Sequence, residues 1–290
     1  MVALRVGEWL VAEYVVEPDV DPRLSPRPYL HPVRTLSGVV VSDALPGDHP
    51  HHLGVSVAVQ DVAKTNLWGG KTYVRGTGYT WLDDHGRMVH AGFEKRSDHR
   101  LVQRLRWCDP ADEVLLDERR ELTARPLAGR DDAWVLGLSF TLTAPAGRDI
   151  ELGSPATNGR PGGSGYGGFF WRAPASAVPP DVFSEAADGE ESVNGSTERW
   201  VALTTDEYGL VFTGLADGDH WFVRAADYPG VCAALAYLRP RVIHAGRSLA
   251  RHHAVVVVDG PLGRAAATMI VRQTQGDLED TAGPTDVAWS

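Results

Sequence analysis

The chain consists largely of short runs in which apolar and polar positions alternate. In WVLGLSFTLTA (134–144), Val135, Phe140 and Leu142 lie among Gly, Ser and Thr with a period near two, which is typical of a strand with one solvated face. Similar runs, each bounded by Gly, Pro or Asp, occur at 9–16, 38–44, 54–62, 99–108, 113–125, 198–206, 209–215, 220–225 and 248–260. The pattern predicts β-strands along most of the chain.

Turn residues separate these runs at short intervals, as in antiparallel sandwiches and unlike alternating strand–helix units. One helix is predicted at 260–276, where GPLGRAAATMIVRQTQG opens on Gly-Pro, has alanine at its centre and closes on Gly276. We therefore expect an all-β fold, a large antiparallel β-sandwich with long loops and a short C-terminal helix.

Two stretches interrupt the strand pattern: 154–174 is rich in glycine, and 176–197 is acidic and contains proline. They could link two domains or form a long loop over one open face of a single sandwich. Long irregular loops inside compact domains are usually functional or disordered. Because neither half of the chain has an obvious way to close its own sheet edges, we expect one β-sandwich domain over 1–290, with 154–197 as a long loop.

The composition of the chain restricts the classes of molecule with which the protein is expected to interact. The net charge of -10 argues against nucleic acid, because neutralising phosphates needs clustered Lys and Arg. No run approaches the roughly 18 apolar residues that span a membrane, and Glu8 and Glu13 interrupt the N-terminal segment where a signal peptide would be apolar. Cys108 and Cys232 are expected to be reduced thiols. A cytoplasmic protein without membrane or nucleic-acid partners is expected.

Three of the eleven histidines lie in the segment DHPHHLG, ahead of a strand-like run. If the segment is extended, His49 and His51 point one way and His52 the other. His49 and His51 would then be the ligands of any divalent metal, although no glutamate follows at the spacing of cupin-like barrels. Alternatively, a neutral imidazole exchanges a proton near neutral pH while Asp48 fixes its tautomer. A polar turn with solvated histidines is the third interpretation.

Aromatic and arginine residues are grouped in YGGFFWR (166–172). Glycines let a backbone approach a ligand closely, aromatic faces stack on the apolar faces of sugars, and arginine donates a rigid fork of hydrogen bonds. Tyr166, Trp171 and Arg172 are the functional candidates, whereas Phe169 and Phe170 are expected in the core.

Other stretches supply further candidates. In HWFVR, alternation places His220 and Arg224 on one strand face. Trp68 precedes two glycines, and Glu121 is a candidate carboxylate within the run 118–121, which is otherwise read as a solvated strand face; the RHH segment at 251–253 is read as surface.

The stretch RPYLHPVRTLSGVVVSDALPGDHPHHLGVSVAVQDV, followed by NLWGG and later by YGGFFWR, RWVAL, HWFVR and VVVVDG, resembles the bacterial PmoA family over nearly the whole chain. Its most specific part is DHPHH, and Leu53 stands where that family commonly has arginine. The resemblance implies a supersandwich similar to galactose-mutarotase-like domains, and a place in sugar catabolism beside a sugar oxidoreductase.

Together these features predict an enzyme that acts on a small-molecule carbohydrate, either a sugar or an oxidised (keto) derivative, as a mutarotase-like or epimerase-like isomerase, a lyase or a hydrolase. One of His49, His51 and His52 would be the general acid or base, with His220 or Glu121 as its partner. Polar groups of the sugar would bind Arg34, Arg172 and Arg224, and its faces would stack on Trp68, Tyr166 and Trp171.

Two alternatives stay open, a metal-dependent enzyme and a non-catalytic sugar-binding protein that accompanies a sugar oxidoreductase. No cofactor is expected unless a metal binds His49 and His51, and a homo-oligomer is compatible with the sequence.

Overall fold

A computed structural model describes the backbone of residues 1–281 and the side chains of residues 1–274. Twenty strands form within this part of the chain. The first nine are β1 Val2–Val6, β2 Trp9–Val15, β3 Tyr29–Val33, β4 Val55–Ala58, β5 Asp61–Val62, β6 Thr72–Val74, β7 Gly78–Thr80, β8 Arg87–Arg96 and β9 Arg100–Cys108. The others are β10 Val114–Pro126, β11 Ala133–Thr143, β12 Ile150–Gly153, β13 Gly168–Arg172, β14 Asp181–Ser184, β15 Trp200–Thr204, β16 Tyr208–Thr213, β17 His220–Arg224, β18 Gly230–Ala234, β19 Arg241–Ile243 and β20 Ser248–Asp259.

Two large antiparallel sheets contain most of these strands. One has seven strands in the order β1-β2-β3-β4-β13-β18-β17, and the other has eight in the order β14-β15-β16-β20-β11-β10-β9-β8. The remaining strands form a three-stranded sheet, β19-β12-β5, and the hairpin β6-β7. The expected all-β sandwich with antiparallel sheets is confirmed.

Helices contribute little to the described part of the chain. A single turn, α1 Gly189–Val193, follows β14, and α2 Arg264–Thr281 follows β20. The C-terminal helix is confirmed, but it continues past Gly276, where the sequence predicted its end. A glycine inside a helix costs only about 1 kcal/mol relative to alanine, so it need not end one. No helix in the described residues combines the length and apolar character needed to cross a membrane.

The main hydrophobic core lies between the two large sheets. Alternation along β13 points Phe169 and Trp171 into this core, where Trp171 packs edge-on against Phe212 of the opposite sheet with ring centroids 5.7 Å apart. Phe170 and Arg172 therefore point to the outer face of the seven-stranded sheet. A second apolar cluster on this outer face includes Trp68, Tyr166, Phe170 and Phe222.

The stretch 154–197 is more regular than the long loop that was expected. It contains β13, β14 and α1 in addition to its irregular glycine-rich part. β13 lies between β4 and β18 in the middle of the seven-stranded sheet, so this stretch belongs to the sandwich itself. Residues 282–290 of the expected single domain lie outside the described part.

Two polar stretches that were read as surface contribute buried side chains. Arg120 donates from Nε to Glu118 Oε1 at 2.6 Å and from Nη2 to Glu118 Oε2 at 2.8 Å, and both residues are buried between the sheets. Arg251 and His253 are also buried, whereas His252 between them is exposed. In each of the two stretches, the side chains that point inward along the strand are therefore buried in the core, and those between them are on the surface. Cys108 and Cys232 are free, buried thiols.

Candidate active site

A cavity of about 510 Å³ opens on the outer face of the seven-stranded sheet. Its floor rests on the second apolar cluster, and its walls come from loops and strand ends that are far apart in sequence. Five lining residues belong to the histidine segment, Asp48, His49, Pro50, His51 and His52. Further walls come from the aromatic residues Trp68, Tyr79, Trp81, Tyr166, Phe222 and Tyr228, and from the charged residues Lys71, Arg160, Arg224 and Asp227.

The histidine segment forms a tight turn and is not extended. The backbone N–H of His52 donates to the carbonyl of His49 at 2.9 Å, with Pro50 at the second turn position, which its fixed φ favours. The prediction that His52 points away from His49 and His51 is therefore wrong. The three imidazole rings form one group. The ring centroid of His52 lies 4.7 Å from those of both His49 and His51, and the centroids of His49 and His51 are 5.7 Å apart.

His49 forms a dyad with Asp48, as the sequence suggested. Its Nδ1 lies 2.8 Å from Asp48 Oδ2, and Arg172 Nη2 donates to both Asp48 oxygens at 3.1 and 3.2 Å. Partial burial raises the pKa of Asp48, but the hydrogen bond with His49 and the Arg172 charge outweigh it, so this pKa is lowered. In the tautomer that carries its proton on Nδ1, His49 donates to this carboxylate and presents Nε2 as a proton acceptor.

His51 and His52 are held neutral. Burial, reinforced by the charge of Arg27, lowers the pKa of His51 to about 3. Burial also lowers the pKa of His52 far below its usual value, with the neighbouring His51 and His49 adding to the effect. His52 is 2% exposed and its Nδ1 has no hydrogen-bond partner among the described side chains. These two rings can donate or accept hydrogen bonds near neutral pH but carry no charge.

The Trp-Gly-Gly segment noticed in the sequence supports His51. Gly69 and Gly70 both have positive φ, at 94° and 71°. A Cβ on Gly70 would lie 2.8 Å from His51 Nδ1, closer than real contacts allow. Glycine is therefore required at position 70 both for its backbone conformation and for the approach of the imidazole.

Replacing Gly70 by alanine tests this support. We expect Gly70→Ala to lower the free energy of unfolding by about 2–4 kcal/mol, through positive-φ strain and the clash with His51. Gly76→Ala is the matched control, because Gly76 has a φ of 81° and a Cβ added there would meet nothing within 4 Å. That variant should lose only the strain, about 1–2 kcal/mol. Urea unfolding measures both, and equal losses would contradict a role for the His51 contact.

Aromatic rings make up the remaining walls. Trp68 lies 4.7 Å from Tyr166 and 5.8 Å from His52, and Tyr166 lies 5.3 Å from Phe222. The Tyr166 and Tyr79 hydroxyls are 2.9 Å apart. The cavity therefore offers flat apolar faces next to hydroxyl groups, a combination that suits the faces and hydroxyls of a sugar.

Tyr228 completes the wall beside the dyad. Its ring lies 4.7 Å from His49 and 5.0 Å from His52, and the Arg172 guanidinium lies 4.8 Å from the same ring. Burial raises the pKa of the Tyr228 hydroxyl, so the group stays protonated. The Tyr228 ring therefore packs against the dyad, and its protonated hydroxyl is a hydrogen-bond donor on the same cavity.

The structure brings several of the sequence candidates together. His49, His51, His52, Trp68, Tyr166 and Arg224 line the cavity, and Arg172 lies directly behind Asp48. Arg224 is 3.5 Å from Glu190 and 4.4 Å from the Phe222 ring.

Four candidates lie away from the cavity. Trp171 is fully buried in the main core, where its Nε1 donates to the carbonyl of Val41 at 2.8 Å. Glu121 accepts a hydrogen bond from Arg100 at 2.7 Å in the other sheet, and Arg34 pairs with Glu13 at 3.3 Å. His220 shares a strand face with Phe222 and Arg224 but stacks on Tyr237 at 5.2 Å.

Several lining residues were not identified from the sequence: Lys71, Tyr79, Trp81, Arg160, Asp227 and Tyr228. Asp227 and Tyr228 belong to DYPG, a turn motif directly after the predicted strand at 220–225. The position of this motif at the end of a candidate strand was a usable signal. Lys71 and Arg160 lie in segments whose folding against the cavity has no local signature.

The part of the chain with described side chains contains no set of ligands that would support a metal site. There, no group of three or more His, Cys, Asp or Glu side chains is placed to hold a metal ion. His49 and His51 also do not share a strand face, because the segment turns between them.

Comparison with known proteins gives a family and distant structural similarities. A heparan sulfate lyase HepC from Pedobacter heparinus is 9% identical over 61% of this chain and 22% of its own, with a TM-score of 0.31. An alpha-galactosidase from Lactobacillus brevis is 10% identical over 77% of this chain and 34% of its own, with a TM-score of 0.35. The chain thus spans about a fifth to a third of the length of these enzymes.

No curated protein matches the sequence. A family match covers residues 1–272. It does not show the PmoA family, so that resemblance stays an expectation. Because the match extends over nearly the whole chain, the protein belongs to the family of unknown function DUF6807.

Proposed function

We propose that the protein is a carbohydrate-active enzyme that acts on a sugar or an oxidised sugar derivative, with His49 as its acid–base group. The observation that carries the proposal is the Asp48–His49 dyad on the wall of an aromatic cavity, with Nδ1 and Oδ2 2.8 Å apart. A base whose tautomer is fixed by a carboxylate is common to many proton-transfer sites.

The surroundings of the dyad support this chemistry. Isomerisation at a sugar carbon or at its anomeric centre needs a base on one atom and a hydrogen-bond donor on an oxygen nearby. His49 Nε2 supplies the base, and the protonated hydroxyl of Tyr228 supplies the donor, on rings 4.7 Å apart. Neutral His51 and His52 would bind sugar hydroxyls without adding charge.

The remaining walls support a sugar as the ligand. Trp68, Tyr166 and Phe222 present apolar faces for stacking, while Arg160 and Arg224 reach the same space with hydrogen-bond donors. The resemblance to the PmoA family is consistent with sugar catabolism, and we propose a sugar oxidoreductase as a functional partner on that basis.

Incubating the purified protein with a panel of aldoses, ketoses and sugar acids tests the proposal. Proton NMR follows binding by saturation transfer and turnover by exchange or loss of sugar signals. We expect at least one sugar to be converted by the wild-type protein. Binding without conversion would support a non-catalytic sugar-binding protein instead, and the absence of both would contradict a carbohydrate ligand.

A further inference from the structure

Cationic side chains are concentrated around the cavity although the chain as a whole carries a net charge of -10. Lys71, Arg160 and Arg224 line it, and Arg27 and Arg172 are fully buried behind its histidines. Of the described residues that line it, two are acidic, Asp48 and Asp227. The cavity is therefore positive in an acidic protein.

Two of these cations are neutralised by protein carboxylates. Arg172 pairs with Asp48 at 3.1 Å, and Arg224 lies 3.5 Å from Glu190. These two arginines contribute hydrogen bonds and shape to the cavity, but they add little to its net charge. The remaining charged groups are the cations Arg27, Lys71 and Arg160 and the carboxylate of Asp227, which together leave the cavity positive.

Arg27 is a buried cation without an acidic partner among the described side chains. Its Nη2 donates to the carbonyl of His51 at 2.9 Å and its Nη1 to that of Trp68 at 2.9 Å. Its Nε lies 3.3 Å from the hydroxyl of Ser56. Carbonyl and hydroxyl oxygens satisfy the N–H groups but do not cancel the charge, and an uncompensated buried charge is costly. A nearby anion would offset part of that cost.

Lys71 and Arg160 have no carboxylate within salt-bridge distance in the described part of the chain. Lys71 is exposed at the cavity mouth. Arg160 donates to the Tyr79 hydroxyl and lies 4.8 Å above the Tyr79 ring, which holds its guanidinium beside the cavity without neutralising it. Both groups are thus free to bind an anionic substituent.

We infer that the cavity takes a sugar acid, a polyhydroxylated ligand whose single carboxylate is bound by Lys71 and Arg160. This inference rests on the proposed function and narrows it to one substrate class. The planar guanidinium of Arg160 matches a carboxylate through paired hydrogen bonds, and Lys71 adds a mobile point charge. Asp227 also lines the cavity, and its charge would disfavour any pose that places the carboxylate of the sugar acid beside it.

Isothermal titration with matched ligand pairs tests the inference. The pairs are glucuronate and glucose, galacturonate and galactose, and gluconate and glucitol, with glucose 6-phosphate as a separate probe. In at least one pair we expect the acid to bind about ten times more tightly than its neutral counterpart at low salt, about 50 mM NaCl. The ratio should fall at high salt, because a partly exposed ion pair is screened.

The double variant Lys71→Met with Arg160→Met should reduce the ratio of acid to neutral affinity at least about fivefold. Lys95→Met is the control, since Lys95 is an exposed lysine on β8, in the other large sheet, and its loss changes the net charge by the same sign. That control should leave the ratio unchanged.

Each other outcome is decisive. Neutral sugars that bind as tightly as their acids, or a double variant with an unchanged ratio, would overturn the inference while leaving the proposed function intact. If glucose 6-phosphate binds more tightly than every sugar acid, the cavity takes a sugar phosphate and the inference of a sugar acid is overturned. No binding in any pair would count against the proposed function itself.

Discussion

Replacing His49 by glutamine is expected to lower kcat by about 10²–10³-fold on the sugar that the wild-type protein converts, with a much smaller change in KM. Glutamine has a similar size and can keep a hydrogen bond to Asp48, but its side chain cannot take up a proton at neutral pH. The loss should therefore be in the chemical step. Steady-state kinetics of the purified variant, with circular dichroism to verify the fold, measure it.

A second His–Asp pair provides the control. His244 Nδ1 lies 3.0 Å from Asp149 Oδ2, and both side chains are exposed on loops that do not line the cavity. His244→Gln should leave kcat and KM unchanged. Equal rates for wild type and His49→Gln would remove His49 as the acid–base group.

Alternation along the strands made the fold class readable from the sequence. Alternation also divides the residues of each polar stretch between the two faces of its strand. It does not tell which of the two faces is covered and therefore buried. Trp171 and Arg172 are neighbours in the sequence, and only the packing of the folded chain shows that Trp171 points into the core against Phe212 and Arg172 to the cavity side, where it contacts Asp48. A central strand covered on both faces has no polar side to mark its orientation.

The histidine segment shows how local chemistry can mislead. Treating residues 49–52 as extended separated the rings, although Pro50 is well suited to the second position of a turn. A turn at Pro50 brings the three rings together, so the signal for this part of the site is the proline and not the strand that follows it.

The rest of the site depends on long-range packing. Asp227 and Tyr228 reach the histidines only because β17 and β18 pair next to β13. Glu121 was a reasonable candidate by residue type, but β10 belongs to the other sheet and its carboxylate is engaged by Arg100. No spacing in the sequence could reveal either fact.

The free energy of unfolding is expected to fall steeply as the solution is made acidic. The reason is that buried histidines, which are neutral in the folded chain, take up protons when the chain unfolds. Burial lowers the pKa of His253 to about 3, with Arg251 adding to the effect, and neither of its ring nitrogens has a hydrogen-bond partner among the described side chains. His51 has a similarly lowered pKa, and that of His52 lies far below its usual value. In the unfolded chain the same groups take up protons near pH ~6.5.

The sign follows from the protons bound in each state. Above about pH 6.5 these histidines are neutral in both states and do not affect stability. As pH falls from about 6.5 toward 3, the unfolded chain binds protons that the folded chain does not, so the free energy of unfolding decreases. Each histidine contributes about 1.4 kcal/mol per pH unit, and three together about 4 kcal/mol per unit, in addition to any contribution from carboxylates.

Two neighbouring positions on β20 isolate the histidine contribution. His253→Leu should reduce the slope of stability against pH by about 1.4 kcal/mol per unit between about pH 6 and pH 5, because one of the proton-linked groups is gone. His252→Leu is the matched control, because it removes an exposed histidine from the same strand, one whose Nδ1 lies 2.9 Å from the Ser139 hydroxyl, and we expect it to keep the slope of the wild type. Urea unfolding at several pH values measures the slopes. Equal slopes for His253→Leu and wild type would mean that His253 is charged in the folded core, contrary to its packing 5.0 Å from the Phe169 ring between the two sheets.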